Sequence, residues 1–77
     1  MGVMINQIKI GKYRHFKNKD KEYEVLGVAR HTETGESLVV YKKLYDDYSL
    51  FVRPYNMFIE EVEVSGKKVP RFEYLGE

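Results

Sequence analysis

The sequence predicts an all-β domain, a meander of five or six short strands, on three observations. Strand-length apolar runs alternate with polar clusters at short intervals, and the runs are rich in β-branched and aromatic residues. No repeat, low-complexity tract or Pro-, Gly- or Ser-rich linker interrupts the series. The polar clusters are Lys17 to Lys21, Thr32 to Glu36, Asp46 to Ser49 and Ser65 to Lys68, each read as a turn. Short strands between regular turns pack as a small barrel or sandwich.

Residues 1–10 stand apart as an N-terminal strand or a loose arm, since Ile8 and Ile10 alternate around Lys9 and the residues before them show no pattern. Residues 11–77 then form a single domain. Tyr23 to His31 carries Tyr23 and Val25 on one face and Leu26 and Val28 on the other, with Gly27 between them. That strand is expected to be central and strongly curved, with a bulge or bend at Gly27. Leu38 to Tyr45 and Leu50 to Arg53 follow. Arg53 to Phe58 sets Pro54 against aromatics in too few residues for a helix, which predicts a single 3₁₀ turn. Ile59 to Val64 and Val69 to Leu75 complete the strands.

At 77 residues the chain holds one core and buries roughly 60% of its unfolded surface, so the core must be dense. Its 43% hydrophobic and 14% aromatic residues supply that core and exclude intrinsic disorder, despite 32% charged residues. The absence of cysteine excludes a disulfide framework and a thiolate metal site, and fits a reducing, cytoplasmic compartment. No run of ~18 apolar residues and no secretory N-terminal pattern is present, so neither a membrane nor export is expected. A net charge of +1 lacks the basic field of a dedicated nucleic-acid binder. The charge is uneven, however: up to Lys21 six cations face Asp20 alone, whereas carboxylates outnumber cations after Leu44.

Catalytic and metal chemistry find no support. Both histidines follow an arginine, at Arg14-His15 and Arg30-His31. A hairpin closed at Lys17 to Lys21 sets His15 opposite roughly Tyr23, eight residues before His31, or about 26 Å at ~3.3 Å per residue. No shared metal and no cofactor is expected. There is no nucleophile elbow and no phosphate loop. Glu60 falls opposite Glu73 if the turn at Ser65 is tight, which would raise a carboxyl pKa by like-charge repulsion; a solvent-facing row of glutamates explains the same residues. Arg14 falls near Glu24, as a cross-strand ion pair.

Leu44-Tyr45-Asp46-Asp47-Tyr48 resembles the ALYDY motif of SH3 domains, and Pro54-Tyr55-Asn56-Met57-Phe58 resembles the proline turn of the same family. Those elements lie near opposite ends of SH3 domains, whereas here they are nearly adjacent, so the first likeness is coincidence. The proline turn points to a small five- or six-stranded SH3-like barrel. A wider pattern is more specific: Tyr13-Arg14-His15-Phe16, Tyr23-Glu24-Val25-Leu26-Gly27-Val28-Ala29-Arg30-His31-Thr32-Glu33-Thr34, Leu38-Val39-Val40-Tyr41, Val52-Arg53-Pro54, Asn56-Met57-Phe58 and Val69-Pro70-Arg71-Phe72. In that order, over Gly11 to Leu75, the chain resembles the small bacterial domain family DUF1653. The resemblance implies a bacterial, cytoplasmic, compact β-domain of no established function.

The expected function is a non-enzymatic recognition module that binds a protein or an extended peptide through aromatic loop residues. Seven tyrosines and no tryptophan favour it, because tyrosine presents apolar area and a polar tip at low entropic cost. The expected site is Tyr45, Asp46, Asp47, Tyr48, Arg53 and Tyr55, in or beside turns, where the two aspartates favour a basic partner. The competing reading of Tyr45 and Tyr55 is as plugs closing the barrel ends. The alternative function is nucleic-acid binding by the basic first hairpin, with Tyr13 and Phe16 stacking between Lys12, Arg14 and Lys17. An unrecognised enzyme or a small-molecule sensor is a third class.

Overall fold

The computed structural model describes residues 8–77. Residues 8–10 carry no regular structure, and the rest of the N-terminal segment lies outside the described residues. Among the described residues seven antiparallel strands follow: β1 (Gly11–His15), β2 (Glu22–Arg30), β3 (Ser37–Lys43), β4 (Leu50–Pro54), β5 (Glu61–Val64), β6 (Lys67–Pro70) and β7 (Phe72–Gly76). A one-turn helix, α1 (Tyr55–Phe58), separates β4 from β5. The main sheet has the order β4-β3-β2-β1-β7, and β5 and β6 form a separate hairpin.

The all-β class is as the sequence predicts, but the closed barrel is not formed. Among the described residues β4 and β7 are the two edges of the main sheet and do not pair with each other. The cause lies at the end of β6. Arg71 is shared between two strands: its N–H continues the β5–β6 ladder to the Glu60 carbonyl at 3.0 Å, while its own carbonyl accepts from Phe16 N–H, just past β1, at 2.9 Å. The single strand expected over Val69 to Leu75 is therefore broken at Arg71, and β7 starts afresh beside β1. The turn after Pro54 is α-type rather than 3₁₀, because Ile59 N–H donates to the Tyr55 carbonyl, four residues back, at 3.1 Å.

β2 is central, as expected, but the bulge falls on Leu26. Val25 pairs with Tyr41 and Gly27 with Val40, so Leu26 is the extra residue and stands exposed. This resets the alternation: Val25 faces the core before the bulge, and beyond it Val28 pairs with fully buried Val39. The apparent apolarity of both faces of this strand is a phase change.

The core is small and largely aromatic: Tyr13, Val25, Val39, Tyr41, Phe58 and Phe72. Phe58 projects from α1 and stacks on Phe72 at 4.2 Å between ring centroids, 4° from parallel, with Tyr13 and Tyr41 edge-on at 5.5 and 5.3 Å. One helical turn thus closes the concave side of the sheet. At the far end Gly11 is buried with φ +136°, and a Cβ there would lie 2.6 Å from the Gly76 carbonyl oxygen. Only glycine allows β1 and β7 to meet so closely.

Candidate functional site

The concave face continues past the core into an open cleft of about 550 Å³ between β4, β7 and the loop after β3. Strand alternation supplies its side chains. Phe51 is paired with Tyr41 across β4 and β3, and His15 with Phe72 across β1 and β7, so all four fall on the concave side with Tyr23 of β2. Tyr23 sits edge-on to Tyr41, Tyr45 and Phe72 at 5.6, 5.7 and 5.6 Å. Arg53 lies above this floor with its guanidinium carbon 5.6 Å from the Phe72 ring centroid.

The polar atoms around the cleft are mainly donors. Arg53 Nε donates to the Tyr41 hydroxyl at 3.3 Å, which leaves that hydroxyl's own proton free to donate. The Tyr23 and Tyr45 hydroxyls are 2.9 Å apart and share one hydrogen bond, so one further O–H proton remains. Burial, then the hydrogen bond with Tyr45, pushes the Tyr23 pKa upward, which keeps the phenol protonated. His15 Nδ1 accepts the Lys17 backbone N–H at 3.1 Å, which places the proton of the neutral ring on Nε2. Burial, then the charges of Arg71, Arg53 and Lys17, lowers the His15 pKa. A recess of about 220 Å³ bounded by Lys17, Asn18 and Lys21 adjoins the cleft and shares His15, Tyr23 and Tyr45 with it. Among the described residues no Asp or Glu lines either space.

The six expected binding residues divide. Tyr45 and Arg53 line the cleft. Tyr45 is half-buried, its ring covered by the ammonium groups of Lys21 and Lys43 at 5.2 and 5.1 Å. Asp46 and Asp47 both turn to Lys43, each at 3.2 Å, and Asp47 also accepts the Ser49 N–H. These acceptors, from which the sequence favoured a basic partner, are engaged in the turn itself. Tyr48 is 56% exposed at φ +56° and does not line the cleft. Tyr55 packs against the core cluster.

The alternative set does not form one surface. Tyr13 is 6% exposed and its hydroxyl donates to the Lys9 carbonyl, so it offers no face for stacking. Lys12 and Arg14 alternate with Tyr13 onto the convex side, where Arg14 pairs with Glu73 at 2.9 Å. Phe16 and Lys17 line a different hollow of about 430 Å³, with Val64, Val69 and Pro70 of the β5–β6 hairpin.

Two register expectations are corrected. β1 and β2 pair as Tyr13 with Tyr23 and Arg14 with Glu22, two residues from the expected offset, so Arg14 faces Glu22 rather than Glu24. Glu60 meets Arg71, not Glu73. Both follow from turns longer or shorter than assumed: the β5–β6 turn is the two-residue Ser65-Gly66, both at positive φ. His31 stands beyond the far end of β2 from His15, its Nδ1 accepting the N–H groups of Glu33 and Thr34.

A family model described as a protein of unknown function, DUF1653, matches residues 11–74. The chain belongs to the DUF1653 family. A crystal structure of a DUF1653 protein from Bordetella bronchiseptica is 37% identical, covering 90% of this chain and 88% of that one, with a TM-score of 0.78. Comparison with curated proteins finds no match. Among the described residues no helix of this DUF1653 chain is long and apolar enough to cross a membrane. The cleft residues His15, Tyr23, Tyr41, Phe51 and Phe72 were outside the sequence-derived site; the signal that points to them is alternation, once the strand offsets are known.

Proposed function

We propose that this DUF1653 domain is a non-catalytic recognition module that adds an extended peptide as a strand at β4, with alternate side chains of the peptide entering the aromatic cleft. The observation that carries this reading is the state of that edge. Lys43 N–H bonds the Ser49 carbonyl, so by alternation Phe51 and Arg53 direct their backbone groups to β3, while those of Leu50 and Val52 point outward. Leu50 is 62% and Val52 59% exposed, and no lysine or bulge blunts the strand. Pro54 ends the edge, where its missing N–H costs no ladder bond.

An added antiparallel strand would exchange hydrogen bonds with Leu50 and Val52 and stand in close, non-hydrogen-bonded register with Phe51 and Arg53, whose side chains line the cleft. Main-chain pairing would supply affinity and the cleft selectivity. The test titrates ¹⁵N-labelled protein with acetylated, amidated octapeptides of alternating valine and threonine carrying one varied residue. Protection of the Leu50 and Val52 amides from exchange on addition of peptide is the expected result, with loss of binding in Val52→Pro, which removes an outward N–H and leaves the β3 ladder intact. Protection that instead rises with protein concentration alone would mean that β4 pairs with a second copy, and would overturn the proposal.

A further inference from the structure

We propose that the residue of the bound strand that stands beside Arg53 is acidic, its carboxylate held by the Arg53 guanidinium and the donors around it. This rests on the strand-addition reading and names the chemistry it selects. Two of the cations at the concave face and its rim are already partnered, Arg71 by Glu60 and Lys43 by Asp46 and Asp47, while Lys17 and Lys21 at the adjoining recess have no ion pair among the described residues. Arg53 has no such partner among the described residues. Its Nε donates to the Tyr41 hydroxyl and its guanidinium carbon lies 5.6 Å from the Phe72 ring centroid, two contacts that position the group before any ligand arrives.

The remaining polar groups of the cleft agree in kind. The Nε2–H of His15, the Tyr41 proton and the spare proton of the Tyr23–Tyr45 pair are donors awaiting an acceptor. A basic side chain would meet only positive charge here, and a neutral one would leave Arg53 uncompensated beneath the added strand. A nucleic-acid backbone is the less fitting anion, because the edge leading to Arg53 is Leu50-Phe51-Val52 rather than a row of cations. Phosphate contacts would have to come from the recess alone.

The blocked octapeptides described above, with glutamate, glutamine, phosphoserine or lysine as the varied residue, test this directly, alongside an eight-nucleotide oligothymidylate. The glutamate peptide is expected to bind at least about tenfold more tightly than the glutamine peptide, the margin of a charge-assisted over a neutral hydrogen bond. Arg53→Gln should abolish that preference while the Leu50 and Val52 amides still shift. Should Arg53→Gln fail to fold, Tyr41→Phe keeps the charge, removes its anchor, and should narrow the preference. Equal binding of the glutamate and glutamine peptides, or a tighter phosphoserine peptide, refutes the carboxylate and leaves strand addition standing. No shift at Leu50 and Val52 with any peptide refutes strand addition and this inference with it. Oligothymidylate shifting His15 and Arg53 where the peptides do not would assign the cleft to nucleic acid.

Discussion

Phe58→Ala tests whether one helical turn holds the fold together. Phe58 is 2% exposed and meets three other core rings, stacking on Phe72 at 4.2 Å with Tyr13 and Tyr41 edge-on. Removing a buried phenyl group costs about 3–5 kcal/mol, from lost transfer energy and the cavity left behind. A domain of 77 residues has about 4–12 kcal/mol in total at 0.05–0.15 kcal/mol per residue, so the variant sits near the threshold of folding. Urea unfolding followed by tyrosine fluorescence gives the number, and with a slope near ~1 kcal/mol/M the midpoint should fall by about 3 M or more. Phe58→Leu, which retains most of the apolar volume and loses the ring stacking, should cost about 1–1.5 kcal/mol. A Phe58→Ala midpoint within ~1 M of wild type at unchanged slope would refute the reasoning, and would mean that the sheet buries its concave face without α1.

Two glycines should respond in opposite ways. Gly11→Ala, with its Cβ 2.6 Å from a carbonyl oxygen at φ +136°, should lose about 1–3 kcal/mol, whereas Gly27→Ala, with open space around the new Cβ, should stay within ~0.5 kcal/mol by denaturant unfolding. Tyr48→Gly relieves a left-handed conformation at an exposed residue and should raise the unfolding midpoint without changing peptide affinity; a lost affinity would return Tyr48 to the site. For His15 the sign follows from its depressed pKa. The unfolded chain takes up the proton first, so stability is complete above the ordinary value of 6.5 and declines as pH falls below it towards the lower folded-state pKa. A pH series of unfolding midpoints should show that decline weakened in His15→Gln; an identical profile would mean that His15 is not the group responsible.

Much of the fold was legible because it depends on local chemistry. Turns at Thr32 to Glu36 and Ser65 to Lys68 follow from residues that tolerate left-handed backbone or accept nearby N–H groups, and the structure places Gly35 and Gly66 at positive φ within them. The strands between them follow from β-branched and aromatic runs. The open sheet was not legible. It depends on whether β6 runs on into β7, and that turns on where the Arg71 N–H and carbonyl find partners, at Glu60 and Phe16, both distant in sequence. The bulge at Leu26 is similar in kind: a strand apolar on both faces and a strand that changes phase have the same composition, and only pairing with Tyr41 and Val40 tells them apart.

The candidate site was half legible for the same reason. Turn and turn-flanking composition gathers Tyr45 and Arg53, both half-buried at the cleft, together with Asp46 and Asp47, whose charges are satisfied within the turn by Lys43. A loop residue is a good candidate only if its polar groups remain unspent after folding, and sequence does not record that balance. Because strand offsets determine which side chains share a face, an error of two residues in the first hairpin preserves the face yet misplaces its neighbours: the sequence offset puts His15 beside Tyr23, whereas His15 N–H meets the Lys21 carbonyl on that side and His15 pairs with Phe72, the ring under Arg53, on the other. Arg53 is the residue on which both routes converge. The sequence sets it one residue before a proline turn, at the end of an apolar edge, and the fold then gives Arg14, Lys43 and Arg71 their carboxylates while leaving Arg53 none. Neutralising Arg53 should therefore cost little in ion pairing within the domain, so that a change in peptide preference in Arg53→Gln would report on the proposed site and not on a lost ion pair.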